Sequence, residues 1–316
     1  MRPEIRIRTG RERGSAGDYL SPQRRWRLTR DDFWGYLFIL PQLVGLLAFI
    51  VYPAGFSLYL CFSEWDFMSA PQFIGLQNIQ EVFSDDLFLR SLGNTFYLVA
   101  GIVPLTMAVS LLLALLTNRP LFGLGAYKAA LFLPMITASI AVIVVWYWLY
   151  APDFGLINIA LEYLGIQGPG WLSSKAWAKP AITLMITWQR MGYFYLLFLA
   201  GLKSIPREYY EAAGIDGATR LQQFRHITLP LLSPTTFFIL TTMLIGTFSI
   251  FSEPFFLARG GPAYATYTIV LYIYNLAFSF FKLGEAAVAS WALFALLFAI
   301  TYAQLRLSKR WVHYGD

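Results

Sequence analysis

Residues able to do chemistry are scarce in this sequence, and the scarcity limits what it can be. A single cysteine, Cys61, excludes an internal disulfide framework, and no Cys-x-x-Cys pair or His/Cys cluster is spaced to hold a metal. The two histidines, His226 and His313, stand far apart and outside the apolar runs. No GxxxxGKS/T loop is present to cradle nucleotide phosphates, so neither a cofactor nor hydrolysis by this chain is expected. What remains is Arg190, alone in an apolar stretch within TWQRMGYFYL. An arginine at the centre of a spanning helix costs about 2.5–3.5 kcal/mol on insertion scales. It must face a polar cavity or a partner, or snorkel to the outer interface. Trp188, Gln189, Met191, Gly192 and Tyr195 surround it in sequence. Glu253, at the outer end of a later apolar run, either pairs with Arg190 or faces water.

The elements that carry these residues are set by composition. Of 316 residues, 57% are hydrophobic, 18% aromatic and only 13% charged, a profile that demands a lipid environment. Six apolar segments read as spanning helices: roughly 33–60, 95–117, 127–150, 181–202, 233–253 and 286–306. At about 1.5 Å per residue each can cross a hydrocarbon core of about 30 Å. A seventh apolar run, 267–281, has only 15 residues and reads as interfacial or re-entrant. The predicted fold is therefore an all-α polytopic membrane bundle. Pro41, Pro53, Pro104 and Pro134 are expected to kink or end helices, and Trp146, Trp148 and Tyr150 to form an aromatic belt.

Charge distribution sets the expected orientation. Eighteen of the 24 lysines and arginines fall in the N-terminal tail, the 118–128 link, the 203–232 link and the C-terminal tail. The positive-inside rule places all four in the cytoplasm. The nine arginines of the first 32 residues then act as a topology anchor, and the net charge of +6 needs no nucleic acid.

One link is unlike the rest. PREYYEAAGIDGATRLQQFRHITLPLLSP, residues 206–234, is polar, turns at glycines and is bracketed by prolines. Ser204 can cap a first short helix with Pro206 in its first turn, and Gly214 can end it. Asp216 can cap a second, with Leu221, Phe224 and Ile227 on one face, until Pro230 stops it and Pro234 opens the next span. The product is a helix–turn–helix elbow carrying Tyr209, Tyr210, Ala212 and Ala213. It either docks on a partner or packs against its own bundle.

EAAGIDGATRLQQFRHITLP resembles the EAA loop of binding-protein-dependent ABC importer permeases, with Glu211, Ala212, Ala213, Gly217, Ile227, Leu229 and Pro230 at the motif positions. FIGLQNIQEVFSDDLFLRSLGNTFYLV, LFLPMITASIAVIVVWYWLY, LAGLKSIPREYYEAA and ARGGPAYAT are similar to the carbohydrate branch, the maltose and glycerol-phosphate type, over roughly residues 33–310. The resemblance implies the type I importer permease fold, with a cytoplasmic coupling elbow between helices 4 and 5. It implies that Glu211, Ala212, Ala213, Gly217, Tyr210 and Pro230 contact a separate cytoplasmic ATPase. It places Trp188, Met191, Gly192 and Tyr195, with Phe248, Ser249 and Ser252 on the next helix, along the solute pathway, where Arg190 joins them if its charge faces the cavity. Rings there suit the apolar face of a sugar, and polar groups its hydroxyls. Serine at 249 and 252 departs from the asparagines of the maltose-type pattern.

The implied partners are a second permease, expected to be a different chain, two ATPase subunits, an extracytoplasmic solute-binding protein and a carbohydrate, in a bacterial-type plasma membrane. The domain expectation is an Arg-rich tail at 1–32, a permease domain at 33–310 and a cytoplasmic end at 311–316. The alternative is a secondary transporter of a small polar solute driven by an ion gradient. That would need intramembrane Asp, Glu or His, which the six runs almost lack.

Overall fold

The structure, a computed structural model, describes residues 30–119 and 122–313. Expectations on the first 29 residues and the last three lie outside the described residues. The chain divides after Pro53 into two compact units. In the first, the Arg30–Leu46 helix carries Pro41 without ending and passes into the π-helical turn Leu47–Val51. There the Tyr52 N–H bonds to the Leu47 carbonyl, five residues back, just before Pro53, which has no N–H to offer. Phe33–Leu60 is one apolar helix of 28 residues, long enough to span.

In the second unit, Asn78 lies buried and its amide donates to the carbonyls of Leu60, Cys61 and Ser63. The first two lie at the end of the first span, where carbonyls lack helical partners, and the third lies in the strand that follows. A small antiparallel hairpin pairs Ser63–Glu64 with Gln72–Phe73. The next span, Asp86–Thr117, starts where the Asp85 carboxylate accepts the Leu87 N–H at 2.8 Å, and it runs 32 residues through Pro104.

All six expected spans are helical, and two of them are bent. Among the described residues, three helices can cross a membrane by length and composition, or five if each bent pair is one span. The third run is two helices, Leu124–Ile136 and Ser139–Leu149, meeting at 97° three residues after Pro134. The fifth starts at Ser233 after a 62° bend from Arg220–Leu231 and ends at Phe248. The expected run to residue 253 is therefore broken, and Glu253 belongs to a separate short helix, Ser252–Ala258. Ala178–Ser204, 27 residues long, contains Lys179, Arg190 and Lys203 and is long enough for the remaining crossing. Leu283–Trp311 completes the set.

The seventh run forms only the apolar helix Ile269–Ser279, about 16 Å long and too short to span. It is buried against its neighbours. The Ile269 N–H reaches Thr95 Oγ1 at 2.9 Å, and the Tyr272 hydroxyl donates to Asp85 at 2.8 Å.

Asp86–Thr117 and Ala178–Ser204 pack side by side and run in the same direction. Thr106 bonds Thr187 at 3.2 Å, Ser110 donates to the Met191 carbonyl at 2.9 Å and Thr117 donates to the Tyr195 hydroxyl at 2.9 Å. Small hydroxyl residues let two helices approach where lipid supplies no hydrophobic drive between them. Tyr150 is buried and donates to the Ala181 carbonyl at 2.8 Å, so it belongs to the core and not to the expected belt, whereas Trp148 is exposed.

Candidate functional site

The elbow follows directly on Ala178–Ser204. Ser204 does not cap it. That serine is the last residue of the long helix, its hydroxyl donates to Gly201, and Pro206 occupies the cap of the helix Arg207–Ile215. Gly214 does not end that helix either. The turn comes at Gly217, with φ +77°, and the Ala218 N–H reaches back to the Ala213 carbonyl at 2.9 Å. A Cβ on Gly217 would meet nothing within 4 Å, so glycine is required there by backbone conformation and not by space.

The second cap is Thr219 and not Asp216. Thr219 and Gln222 form a reciprocal capping box, in which Gln222 Oε1 accepts the Thr219 N–H at 2.7 Å. Pro230 does not stop the helix. It sits in the turn Leu229–Leu231, after a second π-helical turn at Phe224–Thr228 that again precedes a residue without an N–H. The Tyr210 hydroxyl lies 3.0 Å from Thr228 Oγ1 and ties the two elbow helices together, so it faces inward.

What the elbow shows outward is a set of aliphatic side chains among charges of both signs, with Arg207, Glu208, Glu211, Asp216, Arg220 and Arg225 all exposed. Glu211 is exposed and makes no ion pair or hydrogen bond among the described residues. Ile215 and Leu221, on either side of the Gly217 turn, are 88% and 75% exposed. Between the helices lies a notch of 350 Å³ bordered by Ala213, Gly217, Gln222 and His226. Ala212 is exposed beside it. Exposed aliphatic side chains around a rigid turn mark a surface that expects a partner. Ile215 is the residue that sequence reasoning passes over, and its signal is an aliphatic side chain in the middle of a polar turn.

The expected pathway residues divide into two groups. Arg190 Nη2 lies 3.6 Å from Glu253 Oε1, with side chains 21% and 7% exposed, and Trp188 packs edge-on against Trp146 at 5.6 Å. Ser249 is exposed at the helix break, and Ser252 opens the short helix that carries Glu253. The others are occupied with packing. A Cβ on Gly192 would sit 1.8 Å from the Leu131 carbonyl oxygen, so this glycine permits a helix crossing. Tyr195 is fully buried on Thr117, Phe248 is buried against Phe96 at 5.2 Å, and Met191 is half-buried with its carbonyl held by Ser110. No group of three or more metal-binding side chains occurs among the described residues.

Apolar spans, an exposed two-helix elbow and an ion pair within the bundle together define a membrane permease subunit. The chain belongs to the binding-protein-dependent transport system inner membrane component family, whose model matches residues 107–313. It is 38% identical over 307 residues, 95% of this chain and 98% of the relative, to the probable ABC transporter permease protein YesP of Bacillus subtilis (strain 168). It is 34% identical over 284 residues, 88% of this chain and 95% of the relative, to the lactose transport system permease protein LacF of Rhizobium radiobacter. A chain in the crystal structure of a bacterial ABC transporter that imports the acidic polysaccharide alginate matches with a TM-score of 0.79 at 25% identity, covering 89% of this chain and 96% of that one. The protein is thus a multi-pass inner-membrane permease of the ABC importer class, and such a subunit is not itself an enzyme.

Proposed function

We propose that this chain is one permease subunit of an ATP-driven carbohydrate importer. It works with a second permease of different sequence, two cytoplasmic ATPases and an extracytoplasmic solute-binding protein. Both termini and the elbow lie in the cytoplasm, in keeping with the eighteen basic residues of those links. Glu211, Ala212, Ala213, Gly217, Ile215 and Leu221 dock on the ATPase, while Tyr210 and Pro230 shape the elbow from within. Trp188, Arg190, Ser249 and Ser252 line the solute pathway, and Met191, Gly192, Tyr195 and Phe248 hold its walls.

The observation that carries this reading is the elbow, whose turn is fixed by Gly217 and the Thr219–Gln222 box while Ile215 and Leu221 stay uncovered. A rigid element with an apolar tip transmits motion from a partner that hydrolyses ATP. An ion-coupled carrier has no use for it. Uptake into proteoliposomes that contain the assembled importer separates the two readings. Uptake that needs ATP, stops with vanadate and survives an uncoupler is expected. Uptake abolished by the uncoupler and indifferent to vanadate would overturn the proposal.

A further inference from the structure

We propose that Glu253 makes the pathway charge-selective, admitting uncharged polyhydroxylated solutes at Arg190 and turning away acidic ones. This rests on the reading that the solute passes Arg190.

The pair is unusual in its spacing. At 3.6 Å the guanidinium and carboxylate attract each other without a hydrogen bond, and neither side chain makes one elsewhere among the described residues. Both are largely withdrawn from solvent, where unmet donors and acceptors are costly. The approach is open, because Gly246 and Ser249 are exposed and even a Cβ on Gly246 would stay 4.0 Å from Arg190 Nη1. Leu257, one turn beyond Glu253 and on the same helix face, borders a cavity of 630 Å³ together with Ile143, Tyr147, Phe256 and Arg259.

The chemistry of the gap selects its occupant. A hydroxyl both donates and accepts, so it can give its hydrogen to Glu253 while accepting one from Arg190. A carboxylate, sulfonate or phosphate oxygen only accepts. It would have to displace Glu253 from Arg190 and leave two like charges together in a poorly solvated place. Arg259 does not offset this. It is exposed to solvent beyond the end of the helix that carries Glu253, as the left-handed cap of Ser252–Ala258.

The test compares methyl glucoside with methyl glucuronide, which differ only in a CH2OH replaced by a carboxylate. Saturation-transfer NMR on the full chain in lipid nanodiscs, with whatever subunits co-purify, reads weak binding of each. The wild type should favour the glucoside, and Glu253→Gln should shift the ratio toward the glucuronide by about tenfold or more. Glu253→Asp, which keeps the charge, should keep the wild-type ratio and controls for loss of fold. Adding Arg190→Gln to Glu253→Gln should abolish the gain. An unchanged ratio in Glu253→Gln, or a gain that persists without Arg190, would overturn the proposal. Failure of the importer reading shows separately, as a chain that co-purifies with no ATPase whatever its ratio.

Discussion

Arg190, on the long helix Ala178–Ser204, ends 3.6 Å from Glu253, which stands on the short helix Ser252–Ala258 beyond the interruption of the fifth span. Each charge is tolerable within the bundle because the other is there. Removing one partner strands a poorly solvated charge, at about 3–5 kcal/mol, whereas replacing both by apolar groups of similar volume is often neutral. Arg190→Met and Glu253→Leu should each lower the thermal midpoint of the purified permease, and the double variant should recover most of the loss. Losses that simply add would show that the two side chains do not interact.

Gly192 and Gly214 form a matched pair of tests for helix packing. A methyl at Gly192 would collide with the Leu131 carbonyl, and main chain cannot swing aside as a flexible side chain does. Gly192→Ala should destabilise by about 1–3 kcal/mol as the two helices are forced apart. At Gly214, inside the first elbow helix, a Cβ meets nothing. Gly214→Ala should be neutral or stabilising by up to about 1 kcal/mol. Thermal unfolding of the purified chain checks both.

Topology is tested with reporters. One fused after Asp316 should read cytoplasm and one inserted near Gly168 should read the exterior. An exterior C-terminus would mean that the 267–281 run spans and that the count of six crossings is wrong.

The spans were legible in the sequence because lipid imposes a length of about 20 apolar residues that shows directly in composition. The breaks within them were not. Ser249–Phe251 holds no glycine or proline, and its interruption depends on packing against neighbours that sequence pattern does not reveal. In the elbow, Asp216 and Thr219 are both good caps, and the choice falls to Thr219 because Gln222 lies three residues on and Gly217 turns the chain between them. That capping box was readable. The pathway was half readable. Spacing puts Trp188, Met191, Gly192 and Tyr195 on neighbouring parts of a helix surface, yet the same spacing serves a neighbouring helix. Gly192 and Tyr195 went to the neighbour. Tyr195→Ala therefore reports on packing, and Trp188→Ala is the better probe of solute contact, expected to lower uptake with assembly unchanged.

At Gly217 the penalty is one of backbone conformation. With φ +77° and open space around it, Gly217→Val should distort the turn while Gly217→Asn is tolerated better, since asparagine visits the left-handed region more readily. Uptake should fall far more in the valine variant than in the asparagine variant, at equal membrane levels. Equal losses would point to a missing contact and not to a misshapen turn.

Coupling to ATP hydrolysis requires that the elbow dock a separate ATPase, and Glu211→Lys measures this most directly. Glu211 is exposed and has no partner within the described chain, so its charge is available to a basic residue across an interface. Reversing it should cost about 3–5 kcal/mol once the contact is desolvated, weakening docking by more than about a hundredfold. Membranes carrying Glu211→Lys should yield the permease at normal levels without its ATPase, with uptake abolished and partly restored by a basic-to-acidic change in the ATPase cleft. Normal uptake by Glu211→Lys with the ATPase still bound would contradict the account.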